Sequence, residues 1–287
     1  EPAGLSLGVT DVLEVTVPQE TDVLSRAEYF EKFAAEEREH PFGGKYYGLF
    51  AVLIRELFAP DTVSAAGQRL YISRAPNSDA ATLGETIRQH GFRAVHDISS
   101  SLAITAAEIG LARGGHSSTI LHDLEPTLLK TLYGVDPFLA YYDDLDIFAQ
   151  KRQAEFDAMH DFVRQRLADE EAARYGASAT SRFTLLRQPS VEGAHNGIPP
   201  TVPVHAVFID GDHQAQSVMD DLKAWFPRVV SGGLIVGDDY HLETVERGVN
   251  MFLEKLPPGT PRPTVFSVSR PISPKYRLFA FVKPSMP

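Results

Sequence analysis

The sequence predicts an α/β fold: a seven-stranded, mostly parallel sheet with helices on both faces and an antiparallel last strand. Three observations carry this. From residue 103 onward, short apolar runs alternate with helical stretches, the pattern of repeated strand–helix–strand units. Several of these runs end in glycine or aspartate, at Gly110, Asp136, Asp210 and Asp238, on the side where open α/β sheets bind ligands. The last two runs, linked through Pro271 and Pro274, alternate in polarity and read as an antiparallel edge.

Taken in order, residues 1–95 lack the alternation and form an N-terminal helical extension to a domain spanning 96–287. Helices are expected at Ser25–His40, where Ser25 can cap a run rich in Ala and Glu, and at Ala80–His90, closed by Gly91. Between them, Tyr46–Phe58 places Leu49, Val52, Leu53, Glu56 and Leu57 at helical spacing. That stretch suits a lid or a contact between two copies of the chain, so a homo-oligomer is compatible with it. Strands follow at Ala103–Ile109, Thr131–Val135, Phe183–Leu186 and Val204–Ile209. A fifth is expected at Leu234–Val236, after a Gly232-Gly233 turn. The last two are Thr264–Val268 and Tyr276–Val282. Helices are expected at Gly114–Leu124, from Ile147 to about Ala173, at Gln214–Phe226 and at Val245–Leu256. No internal repeat is present.

Composition narrows the function. Against 27 Lys and Arg stand 38 Asp and Glu, a net charge of −11. This disfavours nucleic acid and anionic membrane as partners, since both are polyanions. The chain has no cysteine, which excludes disulfides, zinc–thiolate sites, iron–sulfur clusters and thiol nucleophiles. No apolar stretch reaches the 18 residues that a spanning helix needs. Glu1 opens the sequence without a basic-then-apolar leader, so a cytoplasmic location is expected.

The residues just past each strand hold the chemistry. The first strand runs into Glu108-Ile109-Gly110-Leu111-Ala112-Arg113-Gly114-Gly115. That G-x-x-x-G-G spacing allows a tight turn and a close approach of ligand to backbone, but it is not the G-x-G-x-x-G of pyrophosphate-binding folds. The second strand ends at Asp136, an acid placed to hold a pair of ribose hydroxyls. Together they suggest an adenosine-type ligand without a pyrophosphate. Further on, Phe208-Ile209-Asp210-Gly211-Asp212-His213 and Val236-Gly237-Asp238-Asp239-Tyr240 bring four carboxylates to neighbouring strand tips. Such a group repels itself unless a cation sits within it. Oxygen ligands without cysteine favour Mg²⁺, Mn²⁺ or Ca²⁺ over zinc. Asp212 alone also reads as a cap for the helix that follows. Trp225 reads as core, His116 and His122 as hydrogen-bonded or exposed, and Tyr240 and His241 as within reach of a substrate.

These motifs, E-I-G-x-x-x-G-G, G-V-D-P-F, F-I-D-G-D-H and G-G-L-I-V-G-D-D-Y, resemble class I S-adenosylmethionine-dependent methyltransferases. More narrowly, the set is similar to metal-dependent O-methyltransferases that act on hydroxyls of sugars and other natural products. The resemblance covers about Ile98–Lys283 and implies a Rossmann-like methyltransferase fold, with strand order 3-2-1-4-5-7-6. It implies that Glu108 and Gly110 meet the methionine part of S-adenosylmethionine, that Gly114 belongs to the cofactor site, that Asp136 holds its ribose, and that the Gln188–Ser190 turn, with Ser190, lies near its adenine. Asp210, Asp238 and Asp239 match the metal-ligand positions. The base falls near the tip of the fourth strand, where Asp212 and His213 are both candidates: Asp212 is preferred on position, and His213 has the better-matched basicity. The acceptor implied is a small-molecule hydroxyl. Two other readings are a nicotinamide-dependent oxidoreductase, which the glycine spacing disfavours, and a catalytically silent scaffold, which the mutually repelling carboxylates disfavour.

Overall fold

The computed structural model describes residues 12–16, 48–58, 71–72, 103–141, 151–257, 263–269 and 276–284. The helices expected at 25–40 and 80–90 fall outside these. Within residues 1–95 the described elements are β1 (Val12–Thr16), α1 (Gly48–Phe58) and β2 (Tyr71–Ile72), so two strands stand where only helices were expected. The other strands are β3 (Ile104–Ile109), β4 (Leu129–Val135), β5 (Phe183–Leu186), β6 (Val204–Ile209), β7 (Val229–Gly237), β8 (Thr264–Ser269) and β9 (Tyr276–Val282). The longer helices are α2 (Gly115–Asp123), α3 (Gln153–Tyr175), α4 (Ala215–Trp225) and α5 (Glu243–Leu253), and a short helical turn at Ser190–Glu192 runs into a π-helical stretch at Gly193–Gly197.

The nine described strands form one sheet in the order β2-β1-β8-β9-β7-β6-β3-β4-β5. From β5 to β8 this is the expected seven-stranded Rossmann-like order, with β9 antiparallel to both β7 and β8. Beyond it, β1 adds to β8 in parallel and β2 to β1 antiparallel.

The period-two alternation of each buried strand divides the core in two. Ala106, Phe208, Leu234 and Val236 face one side, under α1, α2 and α3; Ala107, Ile109, Val207, Ile209 and Ile235 face the other, under α4 and α5. The α1 stripe is Phe50, Leu53, Ile54 and Leu57, all buried. Leu53 and Leu57 of this stripe belong to the face read in the sequence, and Phe50 and Ile54 join them. Burying such a side chain contributes about 1.5–3 kcal/mol, so α1 belongs to this core, and its described apolar face is spent on its own sheet. Trp225 is completely buried, as its helical spacing implied.

Two boundaries differ most from expectation. The strand foreseen at 234–236 begins at Val229 and passes through the two glycines. Val204 pairs with Val229 and Ala206 with Leu234, so the β6 ladder slips between those pairs. The Gly232 amide donates to the Lys283 carbonyl, and the Lys283 amide donates to the Gly233 carbonyl, both at 2.8 Å. Pairing to β9 therefore turns an apparent hairpin signal into a bulge. The long helix begins at Gln153; residues 142–150 lie outside the described set. Among the described residues no helix is long and apolar enough to cross a membrane.

Candidate functional site

The carboxyl ends of β3, β4, β6 and β7 meet on one edge. Gly110, with φ +79°, makes this possible. Its amide donates to the Val135 carbonyl at 2.9 Å, and a Cβ there would stand 1.9 Å from the Asp210 carbonyl oxygen. Only glycine lets the tips of β3 and β6 come that close. Among the described residues, the non-glycine residues with positive φ are Ala112, Phe138 and Asp239, each within three residues of a strand tip on this edge. Left-handed backbone costs a non-glycine residue about 1–2 kcal/mol, so conformational strain is concentrated here, a recurring property of ligand sites.

On the β3–β4 half, the Glu108 carboxylate is 1% exposed. It accepts from the Ser117 hydroxyl and lies 3.3 Å from His116 Nδ1. The His116 ring packs on Phe208 with centroids 4.0 Å apart, and Phe50 of α1 packs on both rings. Asp136 folds back onto the glycine turn. Its Oδ2 accepts from the Leu111 amide at 2.9 Å, and its Oδ1 from the Phe138 amide at 2.7 Å. Burial pushes its pKa up, opposed by the amides of Leu111, Phe138 and Ala112 and reinforced by the Glu108 charge. Gly114, with φ +73°, precedes α2 and lies against Val163 of α3.

On the β6–β7 half, Asp210, His213 and Asp239 come together: one ligand atom of each lies within 4.8 Å of the other two. His213 Nε2 is 3.0 Å from Asp239 Oδ2, and His241 Nδ1 is 3.7 Å from Asp239 Oδ1. Cis ligands on a small divalent ion stand about 3 Å apart, since each metal–ligand bond is roughly 2.1 Å. One atom from each of the two carboxylates and the imidazole thus lies within reach of a single ion, the carboxylates as oxygen donors and the imidazole beside them. Asp238 is not part of this group of three. It is 6% exposed, and its Oδ1 accepts from the Asp239 amide at 2.7 Å, which braces the turn holding Asp239. Asp212 also lies apart. It is exposed, its Oδ1 accepts from the Gln214 amide at 3.1 Å, and its Oδ2 accepts from the Ser217 hydroxyl at 2.6 Å. That is an Asx turn leading into α4.

Ser190, after β5, has its hydroxyl between two residues of α4. Trp225 Nε1 donates to Ser190 Oγ at 3.0 Å, and the hydroxyl hydrogen-bonds the buried carboxylate of Asp221. Desolvation raises that carboxyl to about 6, with Asp212 and Asp220 adding to the rise and Ser190 opposing it. Asp221 and Ser117 enter the arrangement beside the residues singled out in the sequence, among them His241. Asp221 had a readable signal: it shares the buried stripe of Val218, Leu222 and Trp225 on α4.

Comparison with known proteins places this edge in a wider setting. Residues 107–240 match the model of a family described as a methyltransferase domain. A curated relative, the uncharacterized protein R132 of Acanthamoeba polyphaga mimivirus, is 27% identical over 139 residues, covering 48% of this chain and 52% of that protein. The chain thus spans about half the length of that relative. Among solved structures, the O-methyltransferase TomG of Streptomyces achromogenes superposes with a TM-score of 0.44 at 16% identity, over 91% of this chain and all of that one. An rRNA methylase from Streptococcus thermophilus gives 0.44 at 12% identity, over 64% of this chain and 88% of that one. At this level of superposition neither structure bears on the acceptor.

Proposed function

We propose that the protein transfers a methyl group from S-adenosylmethionine to the hydroxyl of a small molecule, with a divalent cation at the β6–β7 tips. The observation that carries the reading is the convergence of Asp210, His213 and Asp239 on the edge that also holds Glu108, Gly110 and Asp136, inside the segment similar to methyltransferase domains. A net charge of −11 supports a small acceptor over RNA or DNA.

In this reading, Asp136 accepts the ribose hydroxyls with the oxygen lone pairs left after its two amide bonds. Glu108, braced by Ser117 and His116, faces the methionine ammonium, and the Ser190 turn bounds the adenine. Asp210 and Asp239 hold the cation, Mg²⁺ or Mn²⁺, and Asp238 fixes Asp239 in its left-handed turn. The cation, when bound, stabilises negative charge on the acceptor oxygen.

Methyl transfer from a sulfonium requires that oxygen to lose its proton as it attacks in line. In this reading His213 takes it, since Asp212 is engaged at the start of α4. A base so positioned contributes about 10²–10⁴-fold.

Two substitutions separate these roles. H213Q is expected to lower kcat by about 10²-fold or more while Mn²⁺ still binds by isothermal titration. D239N is expected to lose Mn²⁺ binding as well. Retention of full activity by D239N in EDTA overturns the metal assignment, and loss of Mn²⁺ binding in H213Q makes that imidazole a ligand instead of the base.

A further inference from the structure

We infer that Asp221, through Ser190, sets the hydrogen-bond polarity with which the protein reads the purine edge of its cofactor. This rests on the adenosyl-cofactor reading above. Ser190 Oγ carries one hydrogen and two lone pairs. One lone pair accepts from Trp225 Nε1 at 3.0 Å, and the hydrogen goes to the Asp221 carboxylate. What remains is a single lone pair. Ser190 therefore offers an acceptor, and an acceptor recognises the exocyclic amino group of adenine while rejecting a 6-oxo purine.

The arrangement is held rigidly from below. Trp225 is completely buried and Asp221 is 6% exposed; a Cβ on Gly211 would stand 3.4 Å from Asp221 Oδ2. The carboxyl therefore lies directly beneath the β6 tip, joining it to the turn after β5. Nothing in Trp225, Ser190 or Gly211 can neutralise it. The charges acting on it are those of Asp212, from the β6–α4 loop, and of Asp220 on its own helix, and both oppose ionisation.

Protonation of Asp221 inverts the relay. A neutral carboxyl donates its hydrogen to Ser190 Oγ, which then accepts twice and turns its own hydrogen outward. Ser190 becomes a donor, and the preference for an amino group is lost. Burial holds this carboxyl's pKa at about 6, so the inversion falls within an accessible range.

The test is titration calorimetry of the full chain with S-adenosylhomocysteine and its deaminated 6-oxo counterpart, S-inosylhomocysteine, between pH 5 and 8. Other titrating groups act on both ligands alike, so the affinity ratio isolates the purine edge. At pH 8 the adenosyl compound is expected to bind about tenfold tighter than the inosyl one, the effect of one hydrogen bond made or left unmade. The ratio should fall through unity and invert as pH falls through 6. In D221N it is expected to be independent of pH, and in S190A to be near unity throughout. A wild-type ratio that does not change with pH, or a change that persists in D221N, overturns the inference while leaving adenosyl binding intact. Failure of either nucleoside to bind at any pH overturns the cofactor reading along with it.

Discussion

At the tips of β3 and β4, Glu108 and Asp136 are held by hydroxyl, imidazole and amide groups of adjoining loops and of α2. At the tips of β6 and β7, Asp210 and Asp239 instead face one another beside His213, with His241 on the far oxygen of Asp239. The first pair is complete as folded and acts as a preformed mould. The second concentrates negative charge that an added cation would relieve, at little reorganisation cost because its backbone is already fixed. One site edge thus separates shape from charge, strand by strand.

The strongest way to break the comparison is to force the halves apart. G110A introduces a Cβ into the Asp210 carbonyl and demands φ +79° of an L residue. We expect a loss above about 4 kcal/mol in denaturant unfolding, with both halves affected together.

A smaller effect distinguishes buried acid from site acid. Asp221 has its carboxyl raised from an ordinary 3.8 to about 6 in the folded protein. The folded state therefore holds this proton more tightly than the unfolded chain does. Its contribution to stability is complete below pH 4 and is lost as pH rises through 6. The loss is on the order of 3 kcal/mol. D221N should remove this dependence, so its stability relative to wild type is expected to improve between pH 4 and 7.5, measured by urea unfolding. No change in the relative stability across that range would place the carboxyl in water instead.

The smallest effect sharpens the boundary of the charged half. D212A loses an Asx turn and the Ser217 bond, worth about 1 kcal/mol of stability, and is expected to leave Mn²⁺ affinity within about twofold. A tenfold loss of Mn²⁺ would draw Asp212 into the ion site.

The sheet was legible because strands buried on both faces read as continuous apolar runs ending in Gly or Asp, and the 3.6-residue period of α4 and α5 was unbroken. What escaped depended on partners distant in sequence. Gly232-Gly233 looks like a turn until β9 pairs across it. In α2, six consecutive residues from His116 to Leu121 are buried, so no polar face marks where Ser117 and His116 point. The four aspartates after β6 and β7 were visible by type, but side-chain direction is set by the turn that carries each. Asp212 and Asp210 are two residues apart, and one is spent on a helix start while the other enters the cluster.

The place of β9 in the sheet has a temporal meaning. Translated last of the nine strands, it lies between β7 and β8, and β1, translated first, pairs only with β8 and β2. Until β9 emerges from the ribosome, β7 presents an open ladder and the β8–β1–β2 ribbon has nothing to attach to. The described sheet therefore closes at β9, and it joins β1 to β8 through pairs such as Val12 with Val265, far apart in the chain. Such pairing is slow, and a nascent or truncated form lacking β9 exposes the edge that favours self-association. Among the described residues the sheet's outer strands are β2 and β5, two and four residues long, which offer little ladder to another copy.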